Sequence, residues 1–156
     1  MIDIVGIMRL IPHRYPILLI DRIVEVDGRE SLLAVKAVTA NEPACAAAPG
    51  AGYPPALLLE SWCQAAGVLI SLDSPTADVR TGRVPLFGAV TDVRFLSTVR
   101  PPDLLRHRVR LLRAVEGNAV LEGETTGDAG PVLQVGRVVV ALRQADAVGA
   151  RPNGGA

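Results

Sequence analysis

The sequence predicts an α+β domain in which a curled antiparallel sheet packs around one long central helix. Three observations carry this. Residues 56–72 form an oily segment whose apolar residues, among them Leu57, Leu58, Trp62, Ala65 and Val68, fall on every side of a helix. Two strand-like segments come before it, and four or five short alternating segments with turn residues between them come after it. A helix that is apolar all round must be wrapped, and a sheet is the element available to wrap it. With 156 residues and 49% hydrophobic composition, the chain can bury one core, and a second is not expected.

Residues 2–10 have the pattern of a short amphipathic helix, ended near Pro12 and read as a small lid. Residues 17–26 and 31–38 flank Asp27-Gly28, a dipeptide suited to a tight hairpin. Residues 44–55, rich in Ala, Gly and Pro without a period, read as an irregular loop, a common place for chemistry. After the helix, residues 73–83 read as a polar loop, with strands at 84–90 and 92–96 and a break at Pro101-Pro102. In residues 105–115, Leu105, His107, Val109 and Leu111 alternate with Arg106, Arg108 and Arg110, the period of a half-exposed strand. Strands at 119–126 and 132–142 complete the run, joined at Glu116-Gly117-Asn118 and at residues 127–130. The expected organisation is a single domain over residues 1–143 and a disordered tail over 144–156. The open sheet edges call for cover, and a dimer that extends the sheet is the economical solution.

Sixteen basic and sixteen acidic residues balance, so no overall field favours nucleic acid or an anionic membrane. The N-terminus has no basic lead-in or cleavage site, and no apolar run reaches the roughly 18 residues of a membrane span. The expectation is a soluble, cytoplasmic protein. Cys45 and Cys63 fit neither a disulfide framework nor a metal-ligand spacing and read as small hydrophobes. No metal or nucleotide motif is present.

Glu60 is the main functional candidate, because a carboxylate placed in an oily segment costs several kcal/mol unless something pairs with it or uses it. The competing reading is a helix-terminal acid that favours the dipole. Gln64 lies one turn later on the same face. His13 reads as a structural residue near the first strand, and His107 as an inward strand residue. The arginines at 106, 108, 110 and 113 read as a solvated face, with docking of an acidic carrier as the alternative.

The segments Leu10-Ile11-Pro12-His13-Arg14-Tyr15-Pro16 and Leu18-Leu19-Ile20-Asp21-Arg22 closely resemble the opening of bacterial 3-hydroxyacyl-acyl-carrier-protein dehydratases of the hot-dog fold. Further matches are Asn41-Glu42-Pro43, residues 57–67 (LLLESWCQAAG), Arg94-Phe95 and residues 99–103. The resemblance implies a long helix wrapped by an antiparallel sheet, assembled as dimers. It also implies a substrate carried on the phosphopantetheine of an acyl-carrier protein, with no other cofactor. In that family a loop histidine removes the proton α to the thioester, and a helix carboxylate of the other subunit helps the β-hydroxyl leave as water. Glu60 falls on the carboxylate position and Gln64 on the family glutamine.

The loop departs from the family. Pro49-Gly50 aligns with the family Pro-Gly, which puts Ala47, or Ala48 with a different gap, on the histidine position. Pro54-Pro55 replaces a final Pro-Gly whose glycine N–H polarises the thioester carbonyl, and proline has no N–H. The resemblance therefore implies a degenerate dehydratase subunit in a heterodimer with a histidine-bearing homologue, with Glu60 as its contribution or as a relic. The departures tilt this towards polyketide over fatty-acid assembly. The alternatives are a non-catalytic acyl or carrier-protein binding module, and a hot-dog thioesterase in which Glu60 activates water.

Overall fold

The computed structural model describes residues 1–73, 83–115 and 117–144. The elements run α1 (Ile4–Leu10), β1 (Arg22–Asp27), β2 (Ser31–Val38), α2 (Pro43–Ala47), α3 (Pro55–Ser71), β3 (Arg83–Phe95), β4 (Asp103–Val115), β5 (Asn118–Gly127) and β6 (Gly130–Gln144). All six strands form one antiparallel sheet in the order β1-β2-β4-β5-β6-β3, with α3 against its inner face. This is the hot-dog architecture that the sequence predicts.

Helix α3 begins one residue earlier than expected because Pro55 takes the first helical position, where its missing N–H removes no bond. Every residue from 61 to 69 is buried. Trp62 anchors the helix to the sheet: its Nε1 donates to the Arg108 carbonyl at 3.0 Å. Gly123 on β5 makes room for that bond, since a Cβ there would lie 2.0 Å from the Arg108 oxygen and 3.1 Å from the indole.

Helix α1 is more than a lid. Ile7 is fully buried, and Ile11 just beyond the helix is 1% exposed, so both belong to the core. Asp3 caps the N-terminus by accepting from the Gly6 N–H at 2.8 Å. Arg14 closes the other end, its guanidinium donating to the carbonyls of Met8 and Ile11 at 2.9 Å each.

Strand β1 starts five residues later than the sequence pattern suggests. The chain first turns, with the N–H groups of Ile17 and Leu18 donating to the Arg14 carbonyl, and then gives the Ile17 carbonyl and the Leu19 N–H to the side chain of Gln64. Those groups bond to the helix, so the sheet begins only at Arg22. The β1–β2 turn follows the Asp27-Gly28 reading, with Gly28 at φ +52°.

Residues 44–47, read as part of an irregular loop, belong with Pro43 to α2. Pro43 is preset at its first turn, and three alanines among the next four residues favour the helix. Residues 84–90 and 92–96 join into the single strand β3. Its break survives as a kink at Asp92, φ 56°, opposite Gly136, where a Cβ would meet the Asp92 side chain at 2.6 Å. Most of the 73–83 loop, Glu116 and the tail from 145 lie outside the described residues; Gln144 closes β6.

Strand β4 follows the alternation read from sequence: Leu105, His107 and Val109 are buried, while Arg106, Arg108 and Arg110 face outward. The outer face balances its own charge, with Arg110 paired to Glu122 and Arg106 3.6 Å from Asp128. His107 is fully buried, Nδ1 2.7 Å from Thr125 Oγ1. Burial, with the nearby Lys36 charge, lowers its pKa from the ordinary 6.5 to about 3.

Two outcomes are expected. Below pH 6.5 the unfolded chain binds a proton at His107 that the folded chain refuses. This group therefore lowers stability as pH falls towards 3, by up to about 1.4 kcal/mol per pH unit, and is silent above 6.5. Urea midpoints of His107→Gln should fall less steeply with acidification than those of the parent; parallel curves would refute the assignment. Gly123→Ala should lose about 3 kcal/mol in the same assay, because the methyl group meets backbone and indole together.

Candidate active site

Glu60 stands in the second turn of α3, and the first turn holds no acid. The carboxylate therefore does not cap the helix. Its side chain is 36% exposed, so the carboxylate avoids full desolvation. It meets Gln64, whose Nε2 donates to Glu60 Oε1 at 2.8 Å and to the Ile17 carbonyl at 2.6 Å, while its Oε1 accepts the Leu19 N–H at 2.9 Å. Gln64 is 1% exposed, and these partners fix which end of its amide is oxygen. It therefore holds Glu60 in place and also joins α3 to the chain before β1.

His13 comes to the same place. With Arg14 anchored on α1, the imidazole Nε2 lies 3.5 Å from Glu60 Oε1. Burial lowers the His13 pKa below its ordinary value, against the Glu60 charge that raises it and with the Arg14 charge that lowers it further. The ring is thus neutral at neutral pH. Its Nδ1 is buried with no hydrogen-bond partner among the described residues. The sequence reading gave His13 a structural role and missed this neighbour. The signal was available: a carboxylate in an oily segment needs a partner, and the chain has only two histidines.

His13, Glu60, Cys63 and Gln64 line a cavity of about 190 Å³ together with Pro85 and Phe87 of β3. The Cys63 thiol is pushed up to about 12 by burial and then by the Glu60 charge, so it is no nucleophile. Burial also raises Cys45, and both cysteines are free.

Ala47 closes α2 and Ala48 follows it, and neither can accept a proton. Their loop lines a different cavity, with Cys45, Ala46, Pro49 and Gly50, that shares no residue with the Glu60 cavity. Pro54 and Pro55 sit at the start of α3 and offer no N–H there.

Beneath the loop is a buried cluster that the sequence reading passed over. Lys36, 3% exposed, donates to both carboxylate oxygens of Glu42 at 2.9 Å and lies 5.1 Å from the centre of the Tyr53 ring. Burial and the Glu42 charge push the Tyr53 hydroxyl well above its ordinary range. The signal was parity: Lys36 shares the inward register of Leu32, Ala34 and Val38. Among the described residues, no group of three His, Cys, Asp or Glu side chains could hold a metal ion, and no helix is long and apolar enough to cross a membrane.

Residues 11–135 match the FabA-like domain family. The 3-hydroxyacyl-[acyl-carrier-protein] dehydratase FabZ of Methylobacterium sp. (strain 4-46) is 40% identical over 112 residues, 70% of this chain and 67% of that protein. The FabZ of Coxiella burnetii (strain RSA 331 / Henzerling II) is 38% identical over 135 residues, 81% of this chain and 89% of that protein. Among solved structures, the dehydratase heterocomplex ApeI:P from Xenorhabdus doucetiae superposes with a TM-score of 0.73 at 16% identity, covering 88% of this chain and 91% of that one. The E. coli PaaI protein from the phenylacetic acid degradation operon gives 0.60 at 14% identity, covering 76% and 80%. Fold, motif and these relatives agree: the chain belongs to the FabA-like family and is a relative of the FabZ dehydratases.

Proposed function

We propose that this chain is a subunit of a dehydratase acting on 3-hydroxyacyl thioesters of an acyl-carrier protein, in polyketide or fatty-acid assembly. It donates Glu60 to a site whose proton acceptor comes from a homologous, histidine-bearing chain. The observation that carries this is Glu60 itself, held by Gln64 at a cavity that the alanine loop of the same chain does not line.

The geometry suits a shared site. Pro85 and Phe87 both line the Glu60 cavity and belong to β3, an edge strand that pairs on one side only among the described residues. That edge leaves Leu86, Phe87, Val90 and Phe95 each more than a third exposed. A strand pairing there would cover apolar surface and unpaired backbone groups together, and it would bring a second chain to the mouth of the cavity. The solved neighbour from X. doucetiae is itself a dehydratase heterocomplex, an assembly of the kind this reading requires.

In the shared site the second chain's histidine removes the α-proton as the double bond forms. Glu60, in its protonated form, gives its proton to the departing hydroxyl. Splitting acid from base in this way lets each group keep the protonation state its step needs. The reaction needs no metal or redox cofactor, because every bond change is a proton transfer or an elimination.

Purified alone, the chain should show no dehydration of a 3-hydroxyacyl carrier-protein thioester, followed by enoyl absorbance; co-purified with a histidine-bearing homologue it should be active. Glu60→Gln should lower kcat of the mixed assembly about 10²- to 10⁴-fold. Full activity of the chain alone would contradict the division of labour. Carrier-protein binding without turnover in any pairing would point to a binding module, and thioester hydrolysis lost in Glu60→Gln would point to a thioesterase.

A further inference from the structure

His13 is poorly explained as a packing residue. Its side chain is 29% exposed, yet its Nδ1 is buried without a hydrogen-bond partner among the described residues, a deficit that an apolar side chain of similar size would not carry. A buried nitrogen left without a partner calls for an explanation, and a role in the chemistry of the site is one. The ring lines the cavity, and the polar or charged groups around it are Glu60, Cys63 and Gln64 of α3 and Arg14 of its own segment; β3 contributes only apolar Pro85 and Phe87. Cys63 stays a thiol and Arg14 is committed to main-chain carbonyls, so among the described residues the group with which His13 can exchange a proton is Glu60, 3.5 Å away.

We propose that His13 is the positioning residue that reloads Glu60, returning a proton to its carboxylate after each water loss. The inference rests on the dehydratase reading above. In the elimination the Cα–H bond breaks and its proton goes to the second chain's histidine. The double bond forms, and the C–O pair leaves on oxygen and takes the Glu60 proton to give water. Glu60 is left as a carboxylate and cannot act again. The His13 imidazole, neutral at rest, takes up a proton from solvent, passes it from Nε2 to Glu60 and returns to its neutral form. The second histidine releases its proton to solvent, so the cycle balances without any further reactant. Burial helps the transfer, since it loosens the hold of the imidazole on the proton it must give up.

The test is steady-state dehydration by the chain assembled with its histidine-bearing partner, comparing the parent with His13→Gln from about pH 6 to about pH 9 with and without free imidazole. Glutamine keeps the size of the ring and a donor but cannot relay a proton. His13→Gln should lower kcat about 10²-fold with KM unchanged, lose activity more steeply as pH rises, and recover with imidazole. An unchanged kcat and pH profile would overturn the proposal, as would a loss of activity that imidazole does not restore in a folded assembly. Should His13→Gln fail to fold, an NMR titration of the His13 ring in Glu60→Gln decides: it should move to lower pH, because the carboxylate that raised it is gone, and an unmoved titration overturns the pairing. Absence of dehydration by the parent in every pairing would remove the dehydratase reading itself, whereas dehydration indifferent to His13 removes only the reloading role.

Discussion

One buried amide organises this molecule. Gln64 has a carbonyl oxygen and an NH₂ group, and both ends are engaged: the Leu19 N–H on the oxygen, the Ile17 carbonyl and Glu60 on the nitrogen. Leaving any of these groups unmatched would cost about 1–3 kcal/mol, so the three are locked together. The helix cannot rotate without breaking the bonds to residues 17 and 19, and those residues cannot join the sheet without abandoning the helix. The orientation of Glu60 is a by-product of the same lock. The carboxylate is thus held by a side chain whose other partners are main-chain atoms, which move less than side chains do.

How much of this could be read from residues alone depended on the range of the forces involved. The span of α3 was legible to within one residue, because a helix buried on every side writes itself as an unbroken oily segment. The inward placement of His107 was legible too, because strand parity is local. The late start of β1 was not: residues 17–20 have strand-like composition, but the Ile17 carbonyl and the Leu19 N–H bond to the amide of a distant helix instead of a strand. Helix α2 was hidden because Ala, Gly and Pro together suggested a loop, although Pro43 preset its first turn. Glu60 and Gln64 were singled out through their spacing and the family resemblance, and the structure brings the two side chains together. His13 was seen but not placed beside Glu60, since the one hint, a carboxylate in need of a partner in a chain with two histidines, does not say which histidine comes near.

The two edges of the sheet are treated differently. At the β1 end, α1 packs against the strand and Ile2 exchanges two backbone hydrogen bonds with Ile23, so that edge is covered by the chain's own N-terminal segment. At the β3 end, the described residues provide no such cover, and apolar side chains stand exposed along a long strand. Among the described residues the chain thus protects one edge and leaves the other bare, and the bare edge is the one that lines the Glu60 cavity.

Trp62 is the sole tryptophan in the sequence. It has no solvent exposure, and its indole N–H is bound to the main chain of β4. Its emission therefore samples one seam, the line where helix meets sheet, without interference from a second indole. A red shift would mean that this seam had opened to water, whereas events confined to the outer face of the sheet would leave the spectrum still. The fold thus carries its own optical probe of whether the central helix remains seated.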